Sequence, residues 1–236
     1  GDVNCDGQLN VLDIVIAANM VLADEYDEIA DMNEDGELNI LDLVIMVNWV
    51  LYGNSCIDID GNVYETVLIG DQVWMAENLK VTHYNDGSEI PTGYSDSEWT
   101  ALETDAYAVY DDNPSNADIY GNLYNWYVVD DDRGICPEGF HVPSDSALQM
   151  LEVHLGMSWE DADSTGWRGT DEGSKLAGNS DLWNEGDLVN NSEFGTSGFN
   201  VLPAGYRHYS SGDYNHMGYY GEFWSSSESS VYNNIT

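Results

Sequence analysis

Basic residues are almost missing from this chain. Its 236 residues include five Lys plus Arg against 44 Asp plus Glu, a formal net charge of −39 at pH 7. Such a field repels phosphate backbones and anionic headgroups, so nucleic acid and anionic membrane surfaces are excluded as partners, whereas multivalent cations are attracted. An acidic surface of this kind also suits solubility in a salty habitat. Long hydrophobic runs are missing too. The longest, "IVIAANMVL" and "LVIMVNW", fall well short of the roughly 20 residues that span a bilayer, and no membrane insertion is expected. Cysteine is scarce: Cys5 and Cys56 flank the first fifty-odd residues and Cys136 stands apart. No CxxC occurs, which argues against zinc and thioredoxin-like sites. In an oxidising compartment Cys5 and Cys56 are a candidate disulfide.

Catalytic signatures are equally scarce. His83, His141, His154, His208 and His216 form no HExxH. No GxSxG elbow occurs, and no phosphate-cradling Gly loop precedes a helix. Carboxylates are so numerous that none can be singled out as a glycosidase dyad. The expectation is a protein that is not an enzyme. Hydrophobic residues make up 42% and aromatics 12%, enough for a folded core rather than a disordered chain.

What is present begins with a repeat. "DVNCDGQLNVLD" from Asp2 returns as "DMNEDGELNILD" from Asp31, a period of 29 residues. Oxygen side chains fall at loop positions 1, 3, 5, 9 and 12: Asp2, Asn4, Asp6, Asn10 and Asp13, then Asp31, Asn33, Asp35, Asn39 and Asp42. Gly7 and Gly36 occupy position 6, where an EF-hand-type loop turns sharply, and Gln8 and Glu37 hold position 7, which ligates through its carbonyl. Ca²⁺ takes six to eight oxygens of this kind. Two ions are expected, one per loop, although position 12 is Asp rather than the usual bidentate Glu. Each loop leads into an apolar helix, from Val11 and from Ile40, with Gly53 as a C-cap. Two short helices cannot bury apolar residues on most sides, so part of that surface is expected to meet another domain or chain.

The tandem loop-to-helix order over residues 1–53 resembles a type I dockerin. The resemblance implies two calcium sites, a fold dependent on them, and either docking on a cohesin-like partner or a structural use within the molecule. Positions 10 and 11, often polar partner-reading residues in cellulosomal dockerins, are here Val11, Leu12, Ile40 and Leu41. That departure favours an apolar protein interface or self-association over a standard cohesin.

Composition changes after Gly53. "NVYETVLIGDQVWMAENL" alternates and turns at Gly70-Asp71, which reads as a hairpin. "AYAVY" and "NLYNWYVV" read as further strands. "PSDSALQMLEVHLG" reads as a helix with Ser144 as N-cap and Leu148, Leu151 and Leu155 as its buried stripe. "DIDGN", with Asp58, Asp60 and Asn62, reads as a turn rather than a third calcium loop. The expected fold class is α+β: a small all-α module of paired loop-helix units, then an irregular α+β domain over residues 57–236.

The blocks "DIDGNVYETVLIGDQVWMAENLK", "GNLYNWYVV", "GICPEGFHVPSDSALQMLE", "SGFNVLPAGYR" and "FWSSSE" resemble the Fibrobacter-type major paralogous (FISUMP) domain. The resemblance implies a C-type-lectin-like fold and an extracellular or cell-surface location. It also implies a closing strand beyond "FWSSSE" that this sequence lacks, so either the sequence is truncated or the closing strand comes from elsewhere. It begins without an initiator Met or a signal peptide. Trp99, Trp159, Trp167 and Trp183 are candidate stacking residues for a glycan ligand, with Trp74, Trp126 and Trp224 assigned to the core. Asn190 and Asn234 head glycosylation triplets in form. The leading expectation is a non-catalytic, calcium-stabilised adhesion or recognition protein. The alternatives are a subunit of an extracellular filament or surface layer, and a cohesin-bound component.

Overall fold

The computed structural model describes residues 1–33, 35–53 and 55–228. Its contacts divide the chain into two compact units: Gly1–Cys56 with Tyr64–Met75, and Ile57–Val63 with the described part of Ala76–Thr236.

In the first unit, α1 (Val11–Ala23) and α2 (Ile40–Tyr52) pack on each other. Each starts with a reciprocal cap that the calcium-type spacing conceals. Asn10 is the N-cap of α1 and Asp13 its N3 residue, and Asn39 and Asp42 repeat the arrangement in α2. In each pair one side chain accepts a helical N–H and the other accepts the N-cap's own N–H, so donors without helical partners are satisfied. Asp24, at a left-handed φ of 56°, ends α1, and Gly53 ends α2 at φ 66°. The core is thin. Ala17, Ala30 and Met46 are buried among Val3, Leu9, Ile14, Met32, Leu38 and Leu43. A small sheet of order β1-β2-β3 follows, formed by Ser55–Ile57, Val63–Ile69 and Gln72–Met75. Ile69 pairs with Gln72 across the two-residue turn Gly70-Asp71, as the sequence pattern predicts. The sequence pattern assigned this hairpin to the second module, whereas its backbone contacts group Tyr64–Met75 with the first unit.

The second unit is built from short pieces. They are α3 (Asp96–Trp99), β4 (Tyr107–Ala108), α4 (Pro114–Tyr120), β5 (Leu123–Tyr124), α5 (Trp126–Val129), α6 (Asp145–His154), α7 (Trp159–Ala162), α8 (Glu172–Leu176), β6 (Tyr206–Arg207) and β7 (Tyr214–Asn215). Two-stranded ladders join β4 to β5 and β6 to β7. The expected long strand "NLYNWYVV" is strand for two residues only, because Asn125 turns it into α5. The Asn125 side chain accepts from Val128 N and from Ala106 N, capping the helix and holding β4 at once. The helix from Asp145 forms as expected, with Ser144 accepting from Ala147 N and Leu151 buried, while Leu148 and Leu155 are half-buried.

Amide side chains do the work that ladders do elsewhere. Asn78 donates to Tyr120 O at 2.9 Å, Asn122 donates to Lys80 O at 3.0 Å, and Tyr124 OH donates to Val81 O at 2.7 Å. Buried carbonyls in such loops must find donors somewhere. Gly121, at φ 74°, permits this approach: a Cβ there would lie 2.7 Å from Leu79 O. Two cores result, one around Val81, Tyr84, Ile90, Val128 and Ile135, the other around Trp99, Ala106 and Ala108.

Candidate functional site

Both repeat loops fold into successive side-chain-closed turns. In the first, the Asp2 carboxylate accepts from the N–H of Asp6 at 3.1 Å and of Gly7 at 2.8 Å. Asn4 Oδ1 accepts from Asp6 N at 2.8 Å and Asp6 Oδ1 from Gln8 N at 3.0 Å. Asp13 accepts from Asn4 N at 3.1 Å and Asn10 N at 2.9 Å, and Asn10 Oδ1 accepts from Leu12 N at 2.9 Å. The second loop repeats this scheme: Asp31 with Gly36 N, Asn33 with Asp35 N, Asp35 with Glu37 N, Asp42 with Met32 N and Asn39 N, Asn39 with Leu41 N. Gly7 and Gly36 turn at φ 90° and 85°, a region that L side chains rarely enter. The predicted ligand residues are therefore gathered, loop by loop, around the start of each helix.

Burial sets the electrostatics. Asp13 and Asp42 are fully enclosed. Burial pushes the Asp13 carboxyl up, but backbone N–H groups, that of Asn10 first, outweigh it and hold the group below its usual value. Asp31 is 6% exposed, and its Oδ1 is buried without a hydrogen-bond partner. An unpaired carboxylate oxygen in that setting is costly unless a cation meets it. Among the described residues no group of three or more His, Cys, Asp or Glu is assembled as a metal cluster. The donors in these loops are instead mixed: carboxylates, the amides of Asn4, Asn10, Asn33 and Asn39, and the position-7 carbonyls. That set, with the orphaned Asp31 oxygen, fits Ca²⁺.

Beyond the loops the helices leave an apolar stripe bare. Val11, Leu12, Ile40 and Leu41 are between 44% and 63% exposed, and Val15, Leu22, Val44 and Leu51 extend the stripe. The pairs Val11/Ile40, Leu12/Leu41, Val15/Val44 and Leu22/Leu51 obey the 29-residue period of the loops. The same surface therefore occurs twice.

The second unit carries a run of ring-to-ring contacts from Trp167 through Tyr220, His216, Tyr206 and His208 to Tyr209, with centroids 4.7 to 6.1 Å apart. Trp167 is 95% exposed at one end and Tyr209 is exposed at the other. In the sequence only the tryptophans stand out as stacking candidates, and His208 and His216 belong to no motif. The aromatic density of "GYRHYSSGDYNHMGYYGEFW" was the available signal. Trp224, assigned to the core, is half-exposed, whereas Trp99, taken as a stacking candidate, is buried with Arg207 at 4.5 Å over its ring.

Other sequence-based candidates are placed as follows. The Cys5–Cys56 bridge is not formed: Cys5 projects from loop position 4 into solvent, while Cys56 is buried in β1. Burial pushes the Cys136 thiol up to about 11, which suppresses the reactive thiolate. Asn190 is exposed in a turn, and Asn234 lies outside the described residues. Asp58 accepts from Asn62 N and Asp60 N, closing the expected turn, and Asp60 pairs with His83 at 2.5 Å.

A tandem of side-chain-closed loops, each opening an apolar helix, defines a paired loop-helix module of the calcium-binding, protein-docking class, here carried with a loop-rich α+β unit. The comparisons agree with that order. The model of the dockerin type I domain matches residues 1–51, and that of the Fibrobacter succinogenes major domain matches residues 67–235. The chain belongs to the Fibrobacter succinogenes major domain family, with a type I dockerin domain at its N-terminal end. Searches of curated proteins and of solved structures returned no match. Type I dockerin domains bind calcium and dock onto protein partners, and they occur in secreted cellulosome components. Both matched families are non-catalytic modules. No helix among the described residues is long and apolar enough to cross a membrane.

Proposed function

We propose that this protein is a non-catalytic, extracellular recognition protein held in place by calcium. Each loop binds one Ca²⁺ through its side chains at positions 1, 3, 5 and 12, the position-7 carbonyl and the position-9 amide, the last directly or through water. The ion fixes the start of α1 and of α2, and so sets the apolar stripe beside each loop. The observation that carries the reading is this coupling: Val11 and Leu12 follow Asn10 directly, as Ile40 and Leu41 follow Asn39, so docking residues and calcium ligands share one turn. Ca²⁺ itself supplies only charge and coordination; the chain's residues make the contact. The partner is a protein whose face is apolar opposite the stripe, since none of the stripe's side chains is charged.

The second unit, whose irregular build supports a C-type-lectin-like architecture, presents the aromatic run as the recognition face. Arg133, Arg168, Lys175 and Arg207 are all paired with carboxylates. With four of the five basic residues so engaged, rings outnumber cations as groups to meet a ligand, which favours neutral sugars over anionic ones.

Titration against a panel of immobilised type I cohesins, with sedimentation of the protein alone in Ca²⁺ and in EGTA, tests the docking half. A complex formed in Ca²⁺ and lost both in EGTA and on Leu12→Asp with Leu41→Asp supports it. Concentration-dependent polymers with the same dependence favour the filament subunit, which the duplicated stripe also suits. A monomer that binds no cohesin overturns both cohesin docking and self-association by this surface. For the second unit, a glycan array without hits removes the lectin reading.

A further inference from the structure

The two loops are alike in sequence but differ in their surroundings. Asp71, in the two-residue turn between β2 and β3, lies outside the repeat and reaches the second loop within the first unit. The Asn33 amide nitrogen donates to Asp71 Oδ1 and also to Asp35 Oδ2, the latter at 3.0 Å. Asn33 and Asp35 are loop positions 3 and 5. Two carboxylates thus converge on one neutral N–H₂ group, which cannot neutralise them. Independently, Asp31 at position 1 of this loop keeps a buried Oδ1 unpartnered while its Oδ2 accepts from Gly36 N of the same loop. The first loop has no such neighbour: among the described residues no carboxylate hydrogen-bonds the Asn4 amide.

We propose that Asp71 supplies the second calcium site with an additional carboxylate from outside the repeat. The inference rests on the calcium reading above and extends it. Asp35 and Asp71 already share the Asn33 amide, so a divalent cation held by this loop, to which the unpartnered Asp31 oxygen also belongs, would replace that shared N–H₂ group as their common partner. Affinity in such loops follows the number of charged ligands. The second site is therefore the tighter of the two, and its ion ties the hairpin turn to the loop.

Calorimetry of the full chain with CaCl₂ tests this, comparing the natural sequence with Asp71→Asn and with Asp132→Asn, a control that removes one charge from an exposed site in the other unit. The expected result is two unequal sites in the natural sequence, the tighter one weakened roughly tenfold by Asp71→Asn, at the low end for loss of a supporting carboxylate. The control leaves both sites unchanged. Hydrogen exchange gives a second readout. EGTA should speed exchange of the Leu68–Val73 amides in the natural sequence and have little effect in Asp71→Asn. Equal affinities and equal hairpin exchange in the natural sequence and Asp71→Asn overturn the role of Asp71, and so does a loss matched by Asp132→Asn. Absence of any Ca²⁺ binding by the natural sequence overturns the calcium reading itself, a different outcome.

Discussion

Residues 1–53 carry twelve Asp and Glu and no Lys, Arg or His, whereas all five Lys and Arg lie at or beyond Lys80. In the second unit the cations are internal fittings. Arg207, its side chain 2% exposed, donates to Tyr94 O, Gly212 O and Asp96, and lies between the rings of Trp99 and Tyr214. Arg133 bridges Asp105 and Asp131 over the Tyr84 ring. The first unit has no such group of its own. It encloses Asp13 and Asp42 completely and leaves an oxygen of Asp31 unmet. The second unit meets several of its carboxylates with its own guanidinium groups, whereas the first meets Asp13 and Asp42 with backbone N–H groups and Asp31 with the Tyr26 hydroxyl and the Gly36 N–H. The difference teaches where each unit is vulnerable.

Chelation is the sharpest way to separate them. A ligand that binds only the folded state adds about 4 kcal/mol at a thousand times its Kd. That is comparable to all the stability so thin a core can supply. With EGTA, amide protection should collapse across Val11–Ala23 and Ile40–Tyr52 and persist in Asp145–His154, as read by hydrogen exchange. Equal protection in both conditions would erase the contrast. The reverse experiment removes the internal cation. Arg207→Leu should lower the stability of the second unit by about 3 kcal/mol, whatever the calcium level, because three acceptors and two ring faces lose their partner. Thermal unfolding in the presence and absence of Ca²⁺ measures this.

Caps give a finer comparison. Ser144→Ala removes an ordinary N-cap from α6 and should cost about 1 kcal/mol with or without calcium. Asn10→Ala removes a residue that is both cap and proposed ligand. Its cost should exceed that of Ser144→Ala in Ca²⁺ and fall to the same value or below it in EGTA. If the two substitutions respond to calcium alike, Asn10 is a cap alone.

These contrasts also explain what the sequence disclosed. The repeat was legible because ligand chemistry needs particular residue types at fixed offsets, and two copies agree. The second role of Asn10 and Asp13 was not, since a capping box uses the same residues at the same spacing and only geometry separates the roles. The turn at Gly70-Asp71 was readable from alternation, but its grouping with the first unit depends on contacts distant in sequence, such as Asn33 with Asp71. "NLYNWYVV" misled because strand-forming residues surround Asn125, whose side chain imposes a cap. The aromatic run is not legible in the sequence because Trp167 and Tyr220 meet across 53 positions of loops and short elements, where no period betrays a shared face. Cys5 and Cys56 suggested a bridge from spacing, yet one sits on a loop tip and the other inside β1.

The smallest expected effect concerns acid. Asp131 is held below its usual carboxylate value, first by its hydrogen bond from Arg133 and against the opposing push of burial. Asp86 is lowered by Ser88 and Glu98 by Ser95. A carboxyl whose folded value is depressed binds protons more readily in the unfolded chain. Its contribution is therefore complete above the ordinary value near 4 and is lost as pH falls through the lower folded value. The second unit, followed in EGTA so that no metal-linked proton release intrudes, should keep a constant melting temperature from pH 7 down to about 5 and decline below about 4. Asp131→Asn should flatten that decline slightly while lowering stability at neutral pH, because Arg133 then retains Asp105 as its remaining charged partner. A decline of unchanged steepness would mean that Asp86, Glu98 and the other carboxylates carry the acid response, and that the Arg133 pair adds packing over Tyr84 rather than proton linkage.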